Sequence, residues 1–225
     1  MLLGYAGWQN RGRLEIDRRW NGMLQAISER SILQLDEDFS GGLRAWQGRG
    51  DWAVSPGGMA LPRSLALYAP SLGLSNYRLE FTAVIEKKAV GWTVRAAGPD
   101  NYYAIKLAIV KTEPPAEAVL IRYPVIRGTP AKPVQAPSRL HVRLGEQYQV
   151  LTDVQGAGIG VFVDGTLVDT WSIDEFPKGG VGFFCERGEQ ARLLGVSLTD
   201  QDDLLGKLCG LIAQHPAMRQ VAPEH

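Results

Sequence analysis

From Val90 to Val110 the chain reads VGWTVRAAGPDNYYAIKLAIV, two runs of alternating residues joined by Gly98-Pro99-Asp100-Asn101. A period of two sends successive side chains to opposite faces, which is the mark of a half-buried strand. The Gly-Pro-Asp-Asn joint supplies the residues a tight turn needs. The same grammar recurs from Ile32 to Leu198. With no helical period between the strands, a parallel α/β sheet is excluded and stacked antiparallel sheets are expected.

The alternation predicts strands at 32–39, 52–54, 59–61, 65–68, 77–86, 90–97, 101–110, 117–126, 139–144, 147–154, 159–164, 167–173, 180–186 and 191–198. Asp164-Gly165, inside GVFVDGTLVDTW, is the sharpest hairpin signal. Ser55-Pro56-Gly57-Gly58 and Lys178-Gly179-Gly180 mark further turns. Pro114, Pro115, Pro124, Pro130, Pro133 and Pro137 crowd the stretch 111–137, which reads as one strand followed by a rim loop, GTPAKPVQAP.

Both ends change period. In 12–30, Leu14, Trp20, Met23, Leu24 and Ile27 recur at helical spacing, interrupted by Asn21-Gly22. In 201–215, Asp202 and Asp203 suit a helix start and Pro216 ends the pattern. The expected organisation is a helical extension at 1–31, a β-sandwich at 32–200, and a helix with tail at 201–225. The N-terminal stripe packs on the sandwich or serves a partner.

The 225 residues carry 24 basic and 24 acidic side chains, so no net field favours nucleic acid or an anionic membrane. No apolar run approaches the ~18 residues of a membrane helix. The opening MLLGYAGW lacks a basic flank and a cleavage-site pattern. It is compatible with the stub of a removed leader or anchor, and hence with an envelope or extracytoplasmic site; the sequence leaves localisation open. Cys185 and Cys209 read as small buried hydrophobes, with a disulfide as the alternative. Three scattered histidines give no zinc spacing. Asp164, Asp169, Asp174 and Glu175 offer oxygens but not the spacing of a calcium loop. No metal or cofactor is implied. Gly156-Ala157-Gly158-Ile159-Gly160 lacks the helix and Lys of a phosphate loop and fits a hairpin. No G-x-S-x-G elbow occurs.

Alternation also sorts side chains. Tyr77, Leu79, Phe81, Ala83 and Ile85 share one face, as do Trp92, Val94 and Ala96, and Tyr103, Ile105, Leu107 and Ile109. The opposite, polar face is expected to hold Arg78, Glu80, Thr93, Arg95, Tyr102, Lys106 and Arg122. Such a face can hold a sugar, its C–H surface on an aromatic ring and its hydroxyls on fixed polar groups. The alternative is a solvated face with ion pairs such as Arg95 with Glu80. Trp46, Trp52, Trp92 and Trp171 fall at core positions.

Three segments, LDEDFSGGLRAW, YRLEFTAVIEKKAVGWTVRAAGPDNYYAIKL and VFVDGTLVDTWSIDEFPKGGVGFF, resemble the concanavalin A-like lectin/glucanase superfamily. The nearest likeness is to its laminin-G-like and 3-keto-disaccharide-hydrolase-like branches, over about residues 35–198. The resemblance implies an all-β, two-sheet antiparallel jelly-roll sandwich with short N- and C-terminal helices and a concave sheet face. On that face it places Arg95, Tyr102 and Lys106, with Arg122 and Glu186 as neighbours. Members of the superfamily bind carbohydrate, cleave it, or act as adhesion modules. The E-x-D-x-x-E or E-x-D-x-E strand motif of its glucanases is missing here, and Asp36-Glu37-Asp38 sit in consecutive positions that alternate faces. No catalytic residue is assigned. The expectation is a non-catalytic module that binds a glycan or a protein partner. The alternatives are a glycan-processing hydrolase and a purely structural module.

Overall fold

A computed structural model describes residues 34–113 and 116–200. The two expected end helices, and Cys209 with them, lie outside these residues. Within them the chain forms β1 (Gln34–Glu37), β2 (Trp46–Gln47), β3 (Ala53–Val54), β4 (Ala60–Leu61), β5 (Ala66–Tyr68) and β6 (Tyr77–Lys87). It continues with β7 (Ala89–Gly98), β8 (Asn101–Lys111), β9 (Glu117–Ile126), β10 (Thr129–Pro130) and β11 (Val134–Leu140). The last strands are β12 (Gln147–Gln155), β13 (Gly158–Val163), β14 (Thr166–Ser172), β15 (Gly180–Phe184) and β16 (Gln190–Asp200). Between β5 and β6 a single 3₁₀ turn spans Ala69–Ser71.

Two antiparallel sheets result. Sheet I has the order β14-β13-β12-β6-β16-β4-β3, with β1 on β16; sheet II has the order β10-β9-β8-β7-β15-β5-β2, with β11 on β9. The chain changes sheet between β6 and β7 through Lys88 alone, whose φ of 63° makes the sharp bend. Arg78 and Glu80 on β6 therefore belong to the other sheet and leave the face on which alternation had grouped them with Tyr102 and Lys106. Arg78 pairs with Asp153, N to O 3.6 Å.

Alternation fills the space between the sheets. Tyr77, Leu79, Phe81, Ala83 and Ile85 of sheet I are buried against Trp92, Val94, Tyr103, Ile105 and Leu107 of sheet II. Phe81 meets Trp92 and Phe183 edge-on at centroid separations of 5.2 and 4.8 Å, and Trp46 packs on Tyr68 at 5.1 Å and Trp52 at 5.4 Å. Each such burial is worth roughly 1.5–3 kcal/mol. The indole N–H of Trp92 donates across the interior to Thr152 Oγ1 at 3.1 Å, so a buried polar atom in each sheet is satisfied by the other.

The 164–165 turn forms as its sequence demands. Asp164 and Gly165 have φ of 47° and 75°, the two positive values of a type I′ hairpin. The proline-rich stretch departs from expectation. Thr129–Pro130 and Val134–Leu140 are strands on β9, and the strand expected at 139–144 lies mostly earlier in the chain. Both occupy the outer margin of sheet II, where one side of the backbone has no ladder to serve and proline is tolerated.

Candidate functional site

The outward face of sheet II is defined by register. One row across it reads Gly182, Thr93, Ala104, Tyr123; the next reads Phe184, Gly91, Lys106, Ile121; Tyr102 stands beyond, opposite Val125. The middle of the face is built from small residues because larger neighbours lie over them. A Cβ on Gly91 would stand 2.5 Å from the Phe184 ring. One on Gly182 would stand 2.5 Å from the Ala66 carbonyl oxygen and 2.7 Å from the Leu67 side chain. The result is a floor of Gly91, Thr93, Ala104 and Gly182 bordered by Leu67, Phe184, Lys106, Tyr102 and Tyr123. Thr93 Oγ1 is buried in this floor with no hydrogen-bond partner among the described residues.

Lys106 organises one side of the floor. Its Nζ lies 2.8 Å from Glu186 Oε2 and 2.6 Å from Glu189 Oε1. The two carboxylates arrive from the turn between β15 and β16. There the Glu189 N–H donates to the Glu186 carbonyl at 2.9 Å, and the Glu186 N–H donates to Glu189 Oε2 at 2.8 Å. Gly188, at φ 86°, permits that turn. The side chains of Lys106 and Glu189 are 9% and 10% exposed, whereas that of Glu186 is 54% exposed. Tyr123 donates its hydroxyl to Glu186 Oε1 at 3.2 Å.

Electrostatics fixes the protonation of this group. Burial works against the Lys106 ammonium, but the hydrogen bonds it donates to Glu186 and Glu189 outweigh it and hold the Lys106 pKa above its ordinary value. Burial, then the Glu186 charge, pushes the hydroxyls of Tyr102 and Tyr123 up. At neutral pH the site therefore presents a charged Lys106 ammonium and two phenol O–H groups, and of the two acids on Lys106 it is Glu186 that faces outward.

Of the residues singled out from sequence, Tyr102, Lys106 and Glu186 come together here; Arg95 and Arg122 do not. Arg95 is 1% exposed. It sits in a bulge of β7 at φ 53°, where pairing with β8 slips between Val94 and Gly98. The extra residue ends the alternation, and the guanidinium turns to the carbonyls of Pro177 and Gly156 at one end of the sandwich. The Arg95 N–H donates to the buried Tyr77 hydroxyl at 2.8 Å. Arg122 lies opposite Ile105 on the inward face of β9. It reaches across to sheet I, with Nε 2.8 Å from Asp169 Oδ2 and its guanidinium 4.7 Å from the centre of the Trp171 ring. It is a clamp between the sheets.

Thr93 lies on the face that alternation gives it, whereas Tyr123 and Glu189 join the site without a sequence signal. Tyr123 shares the face of Lys106 because Ile121, two residues away, pairs with Lys106, a register the sequence does not show; Glu189 reaches the site only through a turn. The acidic run 36–38 is structural: Glu37 accepts from the Phe39 N–H at 2.8 Å and from the Trp46 indole at 3.3 Å, and Asp38 accepts from the Ser40 N–H at 2.9 Å. Asp164 accepts from the Gln149 N–H at 2.9 Å, and Asp169 is committed to Arg122. Among the described residues, no group of three or more His, Cys, Asp or Glu side chains is placed to hold a metal. Cys185 is free and buried. No helix among the described residues is long and apolar enough to cross a membrane.

No family model matches the chain, and no curated protein is similar to it in sequence. Its fold recurs in solved structures. Carbohydrate-binding module CBM66 from Bacillus subtilis superposes with a TM-score of 0.52 at 15% identity, over 68% of this chain and 94% of that one. A Crh5 transglycosylase in complex with NAG gives 0.53 at 12% identity, over 76% and 85%. A protein of the human gut microbiota, described among endo-acting O-glycanases that initiate mucin breakdown, gives 0.51 at 8% identity, over 75% and 99%. The likeness is one of fold, and the chain has the two-sheet antiparallel β-sandwich that its sequence predicts.

Proposed function

We propose that the chain is a non-catalytic glycan-binding module whose ligand lies on the outward face of sheet II. The observation that carries this reading is the convergence of Tyr102, Tyr123 and the outward Glu186 carboxylate beside a floor of small residues. A sugar ring needs a flat apolar surface for its C–H face and fixed donors and acceptors for its hydroxyls. The phenol rings supply the first, and their hydroxyls with Glu186 supply the second. Lys106 positions Glu186 and is itself spent on two carboxylates. The fold of CBM66, a carbohydrate-binding module, supports the class of ligand.

Binding without hydrolysis is favoured by the state of the acids. A glycosidase needs two carboxyl groups facing the scissile bond. On this face Glu189 has both oxygens engaged, one by Lys106 and one by the Glu186 N–H, which leaves Glu186 alone toward solvent. A glycan array run with the wild type, Tyr102→Ala and Glu186→Gln tests the proposal. The expected result is a defined set of bound glycans, weakened about tenfold or more in each variant at little cost in Tm. Undiminished binding in both variants overturns the assignment.

A further inference from the structure

The outward face of sheet I, on the far side of the sandwich, departs from the polar-out rule. Leu151 on β12, Phe162 on β13 and Leu167 on β14 form one cross-strand row facing away from the core. Leu167 is 51% exposed. A register shift between Val161 and Phe162 skips Val168 and brings Leu167 opposite Phe162. A β-bulge of this kind re-aims a side chain. Gly160, two residues earlier on the same face, leaves room for the ring: a Cβ there would lie 3.6 Å from Phe162 and 3.9 Å from Thr170 Cγ2. One edge of the Phe162 ring therefore reaches over Gly160.

Depressions of about 350 and 610 Å³ flank this ring and share Asp153 and Phe162 in their walls. Arg78 and Gln149 complete the smaller, and Gln155, Thr170 and Ser172 the larger. A third, of about 310 Å³, shares Gln149 but is acidic, walled by Asp36, Glu37, Asp38 and Glu80 beside Thr82 and Ser197, so the neutral trough ends at β6. The two depressions beside Phe162 form a trough across β6, β12, β13 and β14, three strand spacings or about 14 Å. Around Phe162 the lining carries no net charge, because Arg78 and Asp153 pair with each other. The remaining polar side chains of these two depressions, Gln149, Gln155, Thr170, Trp171 and Ser172, are neutral.

We infer that this trough is a second binding surface, for an extended, uncharged oligosaccharide that stacks on Phe162. The chemistry selects the ligand. Nucleic acid needs several cations along its backbone, and Arg78 is the one cation in the trough walls. An added peptide strand pairs with a sheet edge, whereas this is a sheet face. A flat ring flanked by neutral donors and acceptors over several strand spacings suits linked sugar rings. The inference is independent of the sheet II site, since no residue is common to the two.

The test is a titration of ¹⁵N-labelled full-length chain with cellohexaose, laminarihexaose, xylohexaose and inulin-type fructo-oligosaccharide, read by amide chemical shifts. At least one probe is expected to shift Leu151, Asp153, Gly160 and Phe162. Phe162→Ala should weaken that probe about tenfold or more, and Phe162→Tyr should restore it. Leu167→Lys, at an exposed position, should weaken it as well and serves if Phe162→Ala fails to fold. Shifts confined to Tyr102, Ala104, Lys106 and Tyr123 overturn this inference and leave the sheet II proposal standing. Shifts confined to sheet I do the reverse. No shift at sheet I with any probe, or full affinity in Phe162→Ala or Leu167→Lys, overturns the inference.

Discussion

Replacing Lys106 by Met probes the centre of the sheet II site. The side chain keeps its length and loses its charge, so the floor stays covered while Glu189 and Glu186 lose their common partner. The two arms are not equal. Glu186, with a side chain 54% exposed, recovers its solvation in water, and an exposed pair of that kind is worth about 0–1 kcal/mol. Glu189, with a side chain 10% exposed, stays buried beside a neutral methionine. Breaking a buried pair from one side costs about 3–5 kcal/mol, and the exposed arm argues for the lower end, about 3 kcal/mol. For a chain of this size that corresponds to a fall in Tm of about 6–12 °C. Glu186→Gln should cost less than about 1 kcal/mol. Combining Lys106→Met with Glu189→Gln should recover part of the loss, because the stranded charge goes with it. Urea unfolding followed by tryptophan emission measures the three variants against the wild type. A Lys106→Met variant within about 1 kcal/mol of the wild type would show that the trio behaves as an ordinary surface pair, and the reasoning would be wrong.

Alkaline pH should unsettle the same face: Lys106, Tyr102 and Tyr123 all have pKa values raised in the folded state, so their contribution is complete below about pH 10 and is lost as pH climbs through the folded values. Tyr123→Phe should flatten that decline in a series of thermal melts between pH 9 and pH 11. Burial pushes the Cys185 thiol up to about 12, so a disulfide reagent at pH 8 should leave it unmodified in the native protein and react once urea unfolds the chain. Gly91→Ala should cost about 1–3 kcal/mol in urea titrations, since the new methyl group meets the Phe184 ring at 2.5 Å and the ring must leave the floor.

What the sequence disclosed, and what it concealed, follows from how far each feature depends on distant residues. Phe81, Trp92 and Ile105 announce the interior because one parity of each strand is apolar and the other mostly is not. Asp164-Gly165 announces its hairpin because two positive φ values are a local demand. In β9 both parities are apolar or aromatic, Ala118 and Leu120 on one and Val119, Ile121 and Tyr123 on the other, so the face of Arg122 is set only by pairing with β8. A bulge reverses the parity at Arg95 and is invisible in the residue pattern. The strands Thr129–Pro130 and Val134–Leu140 look like loop because proline content does not reveal that half of their backbone needs no partner. Glu189 reaches Lys106 across 83 positions of sequence, which no spacing rule captures. In β13 both parities are apolar, Ile159, Val161 and Val163 on one and Phe162 on the other, so only the register shows Phe162 facing out with Leu167.

The most direct test of the central claim is a crystal structure of the full-length chain with the strongest ligand from the glycan array. The account predicts a sugar ring on Tyr102 and Tyr123 with a hydroxyl within hydrogen-bond reach of Glu186 and the Lys106 trio unchanged. A ligand bound elsewhere, with the outward face of sheet II bare, would contradict it.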